Sequence, residues 1–171
     1  MRRLFAATLA ASTLAATLLP AAAQEIDRTP EDVVYELFDA MRAGDGEAAR
    51  DLIHDPATSP LNRMQKDGTF RQNTFQGWTD WIDTQEDGDA DEQIFEVRTQ
   101  VFGHLATVWA PFMLTYKGEL RGCGVNMFTL GMIEGEWKII AGIDTQADTP
   151  CETFESDYIA ADSEDDKILF E

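Results

Sequence analysis

An aspartate in an apolar strand is the strongest candidate for chemistry in this chain of 171 residues. Asp144 follows Ile139-Ile140-Ala141-Gly142-Ile143, and a carboxylate in such surroundings could serve as a general base, because burial raises its pKa toward neutral pH. It could equally accept hydrogen bonds from the backbone amides that follow it, where the chain leaves a sheet. Asn126 and Arg98 stand in neighbouring β-rich segments. Arg98 could bind an anionic ligand or pair with an acid of the sheet.

The remaining polar residues form no recognised catalytic or metal-binding pattern. The two histidines, His54 and His104, fall after the second predicted helix and in a hairpin turn, and both are predicted to be exposed. The acidic run from Asp87 to Glu92 fails the calcium-loop pattern, since glutamate and arginine stand where glycine and glutamate are required. No nucleophile elbow, phosphate loop, His-Glu-x-x-His or Cys-x-x-Cys occurs. The sequence therefore predicts no metal, no cofactor, and neither nucleophilic nor zinc catalysis.

The first 23 residues have the composition of a secretory signal peptide. Arg2 and Arg3 precede an uncharged run from Leu4 to Leu19, and Ala21-Ala22-Ala23 offers a small-residue cleavage site. The arginine pair also resembles a twin-arginine export signal. Because the apolar run is shorter than the roughly 20 residues of a membrane span, we expect cleavage after Ala23. Export to the periplasm of a Gram-negative host, or secretion, would follow, with no membrane span left.

The chain is strongly acidic. Its formal charge is -19, and removing residues 1–23, which hold two arginines and no acid, takes the charge to -21. Such a charge repels nucleic acid and anionic lipid, so neither is expected as a partner. The acids cluster at Glu86–Glu92 and Glu152–Asp166, which we interpret as a solvated loop and a solvated tail. The expected organisation is one domain at 24–151 and an acidic C-terminal tail at 152–171.

Cys123 and Cys151 are the two cysteines of the chain. In an exported protein the first hypothesis is a disulfide, because the compartment is oxidising. If Glu134–Glu136 forms the last hairpin turn, position 123 faces about position 147. Cys151 then lies four residues further, beyond a bend that Pro150 permits. The bridge would attach the tail to the sheet, and the alternative is two unpaired thiols without a function.

Three helices are predicted in the first half of the chain. The first begins at Pro30 after a Thr29 cap and ends at Gly44, and the second begins at Asp45 and runs through Ile53. Residue 73 or 74 caps the third helix. That helix would place four apolar residues on one side: Phe75, Trp78, Trp81 and Ile82. A short strand is predicted before it, around residues 66–68.

A block of β-rich segments follows the helices. The predicted strands are Glu92–Phe102, Leu105–Tyr116, Leu120–Ile133 and Trp137–Thr145. Short glycine-containing turns join them, so we expect antiparallel neighbours in chain order. Both faces carry apolar side chains, since Val108 and Phe112 oppose Trp109 and Met113 in the second strand. Three helices cover one face only. The other needs the tail or another subunit, and a homodimer through the sheet is the simpler solution.

Three motifs carry a family resemblance, over about residues 29–151. They are Trp78-Thr79-Asp80-Trp81-Ile82, Gly124-Val125-Asn126-Met127-Phe128-Thr129-Leu130, and Gly135-Glu136-Trp137-Lys138-Ile139-Ile140 followed by Asp144-Thr145. With this order of helices and strands, the chain resembles the nuclear transport factor 2-like superfamily. It looks most like the exported bacterial proteins labelled SnoaL-like or "putative lumazine-binding".

The resemblance implies an α+β fold, in which three N-terminal helices pack on a curved, mainly antiparallel sheet. This cone, also called cystatin-like, would hold an apolar pocket between sheet and helices, and proteins of the superfamily frequently dimerise through the sheet. We expect a small apolar or aromatic molecule to bind there, without demonstrated catalysis. The pocket is expected to draw on Tyr35 or Phe38, Trp78, Trp81, Arg98, Trp109 or Phe112, Asn126 and Asp144.

Other interpretations of the same residues stay open. The chain could be an isomerase- or dehydratase-like enzyme, with Asp144 as general base and Tyr35 or a tryptophan indole as hydrogen-bond donor. It could also be a dimeric assembly module. The tryptophans, Trp78, Trp81 and Trp137 among them, could be ordinary core residues. Neither histidine is placed inside the cone, which argues against polyketide-cyclase chemistry.

Overall fold

The structure is a computed structural model that describes residues 28–168, so the predicted signal peptide lies outside the described residues. Within these described residues, four helices and seven strands follow one another. They are α1 Pro30–Ala43, α2 Gly46–Asp51, β1 Leu61–Met64, β2 Phe70–Arg71, α3 Phe75–Ile82, β3 Ala90–Ile94, β4 Arg98–Phe102, β5 Leu105–Tyr116, β6 Glu119–Ile133, β7 Glu136–Gln146 and α4 Cys151–Ile168.

The strands form one curved, unclosed sheet in the order β2-β1-β7-β6-β5-β3, with β4 also paired to β5. The β1–β7 pair is parallel and the other strand pairs are antiparallel. Helices α1, α2 and α3 lie against the inner face of the sheet, and the predicted α+β class is confirmed. The largest fully buried side chains come from these helices and the inner face: Leu37, Phe75, Ile82, Val108, Leu130 and Ile139.

The predicted start and end of α1 are confirmed. The Thr29 hydroxyl accepts from the Asp32 backbone N–H at 3.1 Å, and the Asp32 carboxylate accepts from the Thr29 backbone N–H at 2.8 Å. This reciprocal pair satisfies two N–H groups that the helix leaves without partners. Gly44 ends α1 in the left-handed conformation, with φ of 69°. Asp45 then caps α2 by accepting from the Ala48 backbone N–H at 2.9 Å.

The buried face of α3 differs from the prediction at one position. Phe75, Thr79 and Ile82 are fully buried and Trp78 packs against the core, whereas Trp81 is 37 % exposed. The spacing of 3, 4 and 7 residues from Phe75 places Trp78, Thr79 and Ile82 on one side of a helix, and position 81 lies outside it. Thr79 is accepted in the core because its hydroxyl donates to a backbone carbonyl one turn earlier, at 3.1 Å.

Two predicted strands are wrong in detail. Residues 66–68 form the turn between β1 and β2, and Gly68 adopts φ of 81° there. The predicted strand Glu92–Phe102 is divided into β3 and β4, because the register against β5 shifts by one residue between Ile94 and Arg98. Glu96, in the break, has φ of 44°, which is typical of a residue that interrupts a ladder. The other three predicted strands are confirmed to within one residue at each end.

Helix α4 covers part of the outer face of the sheet. The predicted disulfide between Cys123 and Cys151 is present, and the backbone N–H of residue 147 donates to the Cys123 carbonyl, as the predicted register requires. Phe154 and Tyr158 of α4 both pack edge-on against Phe95 and are tilted against each other, with centroid distances of 5.9–6.0 Å. The C-terminal segment is therefore a helix tied to the sheet by a covalent bond and an aromatic cluster.

Part of the outer face stays exposed beside α4. Leu105 is 50 % exposed and Met127 is 37 % exposed. Helix α4 thus covers part of the outer face, as one of the two predicted alternatives requires. The predicted homodimer would form through the part of that face that α4 leaves exposed. Among the described residues, no helix is long and apolar enough to cross a membrane.

Candidate ligand-binding site

A cavity of about 420 Å³ lies between α1, α3 and the inner face of the sheet, under the β1–β2 hairpin. Part of its lining is apolar and mostly aromatic. This part consists of Leu37, Phe38, Leu61, Phe75, Trp78 and Phe128. The rest of the lining, apart from Gly77, is polar: Asn62, Arg63, Gln65, Arg71, Asn73, Thr74, Glu92, Asn126 and Asp144. Pockets of this size, with apolar walls and a few fixed polar groups, suit small molecules.

The aromatic wall is held in place by edge-to-face contacts. Phe75 and Trp78, on consecutive turns of α3, have ring centroids 6.1 Å apart, and Phe38 of α1 meets Phe128 of β6 at 5.9 Å. Phe75 is fully buried and Phe38 and Phe128 are nearly so. Trp78 is partly exposed, so its indole is the aromatic surface most available to a ligand. Because the buried rings hold their positions by packing, the wall is formed before any ligand arrives.

The polar part of the lining begins with a row of residues across three strands. Arg63 of β1 is the register partner of Asp144 of β7, which is in turn the partner of Asn126 of β6. Cross-strand partners point to the same face of a sheet, so the three side chains meet at the cavity. The Arg63 guanidinium donates through Nε and Nη2 to both Asp144 carboxylate oxygens, with Nε–Oδ1 at 2.7 Å. Hydrogen bonding to Asp144 raises the pKa of Arg63 above its ordinary value.

Glu92 extends this row from β3. The Asn126 Nδ2 donates to Glu92 Oε1 at 2.6 Å. Burial raises the pKa of Glu92 from an ordinary 4.5 to about 7, and the Asp144 charge adds to the rise while the Asn126 bond and Arg63 oppose it. A carboxyl group with such a pKa holds a proton part of the time at neutral pH. It can therefore donate or accept a hydrogen bond, or transfer a proton to a bound molecule.

Three of the predicted site residues meet at the cavity. Trp78 contributes to the aromatic wall, and Asn126 and Asp144 to the polar row. Tyr35 lies next to it, in a surface depression that also contacts Glu92, and burial raises the pKa of the Tyr35 hydroxyl. Phe38, weighed as the alternative to Tyr35, borders both the depression and the cavity.

Three other predicted residues lie elsewhere. Trp81 packs against Tyr116, with ring centroids 6.2 Å apart, on the far side of α3. Arg98 forms an ion pair with Asp162 of α4, so the predicted pairing with an acid occurs, but with the tail instead of the sheet. Trp109 donates through Nε1 to the Tyr158 hydroxyl at 2.9 Å, on the outer face. Odd and even positions of a strand face opposite ways, and Trp109 has the parity that points away from the cavity.

Sequence reasoning missed Glu92, Arg63 and Arg71. Composition groups Glu92 with the solvated acidic loop, although Glu92 alternates with Ala90 and Ile94, both of which contact the core. That alternation is the signal that could have placed it on the inner face. The arginines were missed because the β1–β2 hairpin was not predicted. Among the described residues, no three potential metal ligands are grouped together.

Comparison with known proteins identifies a family and a fold. Residues 26–143 match the family described as "Putative lumazine-binding". An NTF2-like protein of unknown function from Shewanella baltica superposes with a TM-score of 0.53 and 17% identity, over 70% of this chain and 91% of that one. An NTF2-like protein with a cystatin-like fold from Novosphingobium aromaticivorans superposes with a TM-score of 0.53 and 14% identity, over 70% of this chain and 80% of that one.

A third solved structure carries a proposed activity in its description. It is a putative dehydratase of the NTF2-like family from Streptomyces avermitilis, with a TM-score of 0.54, 15% identity, and coverage of 68% and 92%. At such identities the likeness to these structures shows the fold alone. Among curated proteins, none matches this sequence.

Proposed function

Because the chain belongs to the "Putative lumazine-binding" family, within the nuclear transport factor 2-like superfamily, we propose that it binds a small, flat, partly aromatic molecule in the cavity. The observation that carries this proposal is the mixed lining of the cavity, which combines four aromatic rings with nine polar side chains. A flat ring system can stack on Trp78 while its edge meets Asn126 and Glu92. The preformed wall lowers the entropic cost of binding.

The polar row supports recognition of a ligand edge that both donates and accepts hydrogen bonds. Asn126 has one N–H engaged with Glu92, and an amide group offers a second N–H and a carbonyl oxygen. The Glu92 carboxyl accepts when ionised and donates when protonated. A heterocycle with neighbouring N–H and C=O groups, as in lumazine, matches this set.

Acid–base catalysis is the second candidate, and the state of Glu92 favours it. The predicted general base, Asp144, is occupied, since both of its oxygens accept from Arg63. Glu92 instead has a pKa of about 7 and lies at the cavity, where it could take a proton from carbon next to a carbonyl and return it elsewhere. An isomerase- or dehydratase-like reaction would then use Glu92 in place of Asp144.

Export and a homodimer belong to the same proposal. The Cys123–Cys151 disulfide supports an oxidising compartment outside the cytoplasm, as the signal-peptide-like start of the chain does. The uncovered part of the outer face, with Leu105 and Met127 exposed, supports contact with a second copy beside α4. Light scattering of the purified protein tests the dimer, and a monomeric mass at tens of micromolar protein would oppose it.

Titration calorimetry with lumazine tests binding in the cavity. Gly77 lines the cavity, and a Cβ added there meets no atom within 4 Å, so Gly77→Trp should fill the space without disturbing the helix. Gly122, on β6 and away from the cavity, is equally open, and Gly122→Trp is the matched control. We expect saturable binding in the wild type and in Gly122→Trp, and at least a tenfold loss in Gly77→Trp. Equal binding by all three proteins would refute the site.

A further inference from the structure

The rim of the cavity is poor in acid within a very acidic chain. Residues 56–79 hold one acid, Asp67, and three cations, Arg63, Lys66 and Arg71, whereas the whole chain has 32 acids in 171 residues. At the average density, 24 residues would hold four or five acids. This segment supplies ten of the sixteen residues that line the cavity. The positive segment therefore coincides with the entrance to the site.

Two cations of this segment lack a carboxylate partner. Among the side chains that the structure describes, those of residues 28–162, eight of the ten lysines and arginines lie within 4.0 Å of a carboxylate oxygen. The two others are Lys66 and Arg71, both on the β1–β2 hairpin. The nearby Asp67 carboxylate accepts from the Thr69 backbone N–H at 2.9 Å. Of the two unpaired cations, Arg71 alone lines the cavity.

Arg71 is placed directly across from a second arginine. Arg63 and Arg71 are register partners in the β1–β2 hairpin, and like charges in that relation destabilise a strand pair. Asp144 neutralises Arg63 through its Nε and Nη2 groups, and these bonds leave the Nη1 group of Arg63 available. Arg71 forms no such ion pair, and its charge acts on the Asp67 carboxylate only from beyond 4.0 Å. An anion at the mouth could take donors from both guanidinium groups and remove the repulsion.

We infer that the ligand carries an oxyanion, a carboxylate or a phosphate, and that Arg71 binds it at the mouth of the cavity. This inference rests on the proposed binding function and adds the chemical class of the ligand. The aromatic part would lie on Trp78, deeper in the cavity, and the anion would stay near solvent. Arg71 is then a specificity residue. A planar guanidinium suits this role because it can donate two parallel bonds to one oxyanion.

A matched pair of probes separates charge from shape. 2-Naphthoate and 2-naphthamide have nearly the same size, and only the first is an anion; both are smaller than the cavity. In calorimetric titrations we expect the wild type to bind 2-naphthoate about tenfold more tightly than the amide. Arg71→Gln should abolish that preference by weakening 2-naphthoate alone. Titration with 2-naphthyl phosphate compares the two anion classes. We expect the site to bind more tightly the probe whose oxyanion, carboxylate or phosphate, matches that of its ligand.

Lys66→Gln is the control for general electrostatics, because it removes the other unpaired charge of the same hairpin outside the cavity. We expect it to change the affinity for either probe by less than twofold. Thermal unfolding of both variants checks the fold, and Arg71→Gln should be no less stable than the wild type, since it removes a like-charge pair.

The outcomes that would overturn the inference differ from those that would overturn the binding site. If the wild type binds 2-naphthoate and 2-naphthamide equally well, and Gly77→Trp loses both, the inference that the ligand carries an oxyanion is refuted. The cavity would then still be the binding site. An equal loss in Lys66→Gln and Arg71→Gln would refute a specific role for Arg71. If none of the three naphthyl probes binds while lumazine binds saturably, the anion inference is refuted and the cavity is kept; if lumazine also fails to bind, both proposals are refuted.

Discussion

Folding raises the pKa of the Glu92 carboxyl, and replacing Glu92 by glutamine removes this titrating group. The carboxyl has a pKa of about 7 in the folded protein, against an ordinary value of 4.5. Between these values the folded state binds more protons than the unfolded state, so the free energy of unfolding falls as pH rises from 4.5 to 7. Below pH 4.5 the carboxyl is protonated in both states, so nothing is lost. Above pH 7 it is ionised in both states, and the loss of unfolding free energy is complete.

The size of the loss follows from the shift. At 1.36 kcal/mol per pKa unit, a shift of this size corresponds to about 3 kcal/mol as an upper limit. Glu92 is only half-buried, so solvent can reach its carboxylate, which reduces the expected loss to roughly 1–2 kcal/mol. Glutamine keeps the neutral shape and still accepts from Asn126. Glu92→Gln should therefore gain stability relative to the wild type as the pH rises from 5, and the difference should reach that amount at pH 8.

Urea unfolding between pH 5 and pH 8.5 measures this difference. The net charge of the chain makes stability depend on pH by itself, so the quantity of interest is the difference between variant and wild type at each pH. Glu155→Gln, at an exposed position on α4, is the control for loss of one negative charge. If the unfolding free energy of Glu92→Gln, plotted against pH, runs parallel to that of the wild type or of the control across the whole range, the raised pKa of Glu92 is refuted.

Three further changes have defined outcomes. Cys151→Ser should lower the free energy of unfolding by about 3 kcal/mol, because the disulfide closes a 28-residue separation, and denaturant unfolding of wild type and variant measures it. Asp144→Ala leaves its guanidinium partner unpaired and should cost about 1–3 kcal/mol in the same assay, whereas an unchanged midpoint would show that the pair contributes nothing. Gly124→Ala should destabilise by more than 2 kcal/mol, because its Cβ would lie 2.0 Å from the Thr145 carbonyl oxygen. Gly122→Ala, in open space, should lose less than half as much, and equal midpoints would contradict the close approach.

Local signals in the sequence were enough for most of the fold. The Thr29 cap, the Gly44 stop and the turn at residues 134–135 each depend on a few neighbouring residues, and they predict α1 and the last hairpin. The register of that hairpin in turn predicts the Cys123–Cys151 disulfide. The β1–β2 hairpin could not be found in this way, because β2 has two residues and β1 pairs in parallel with a strand about 80 residues later.

The candidate site was only half predictable for the same reason. Trp78, Asn126 and Asp144 belong to long elements whose periodicity predicts their faces. Arg63 and Arg71 reach the cavity through non-local pairing, which no short pattern reports. Glu92 stands next to an acidic loop, so composition concealed what alternation could have revealed. Trp109 was misplaced because both faces of β5 are apolar, and apolarity alone does not say which face meets the cavity.

The central claim is that a ligand binds between Trp78 and the polar row. The ¹H–¹⁵N spectrum of the protein with and without saturating lumazine tests it most directly, because both groups carry side-chain N–H signals. We expect the Trp78 indole and Asn126 amide signals to shift, and the Trp109 indole on the outer face to stay in place. A shift at Trp109 with Trp78 and Asn126 unchanged would contradict the claim.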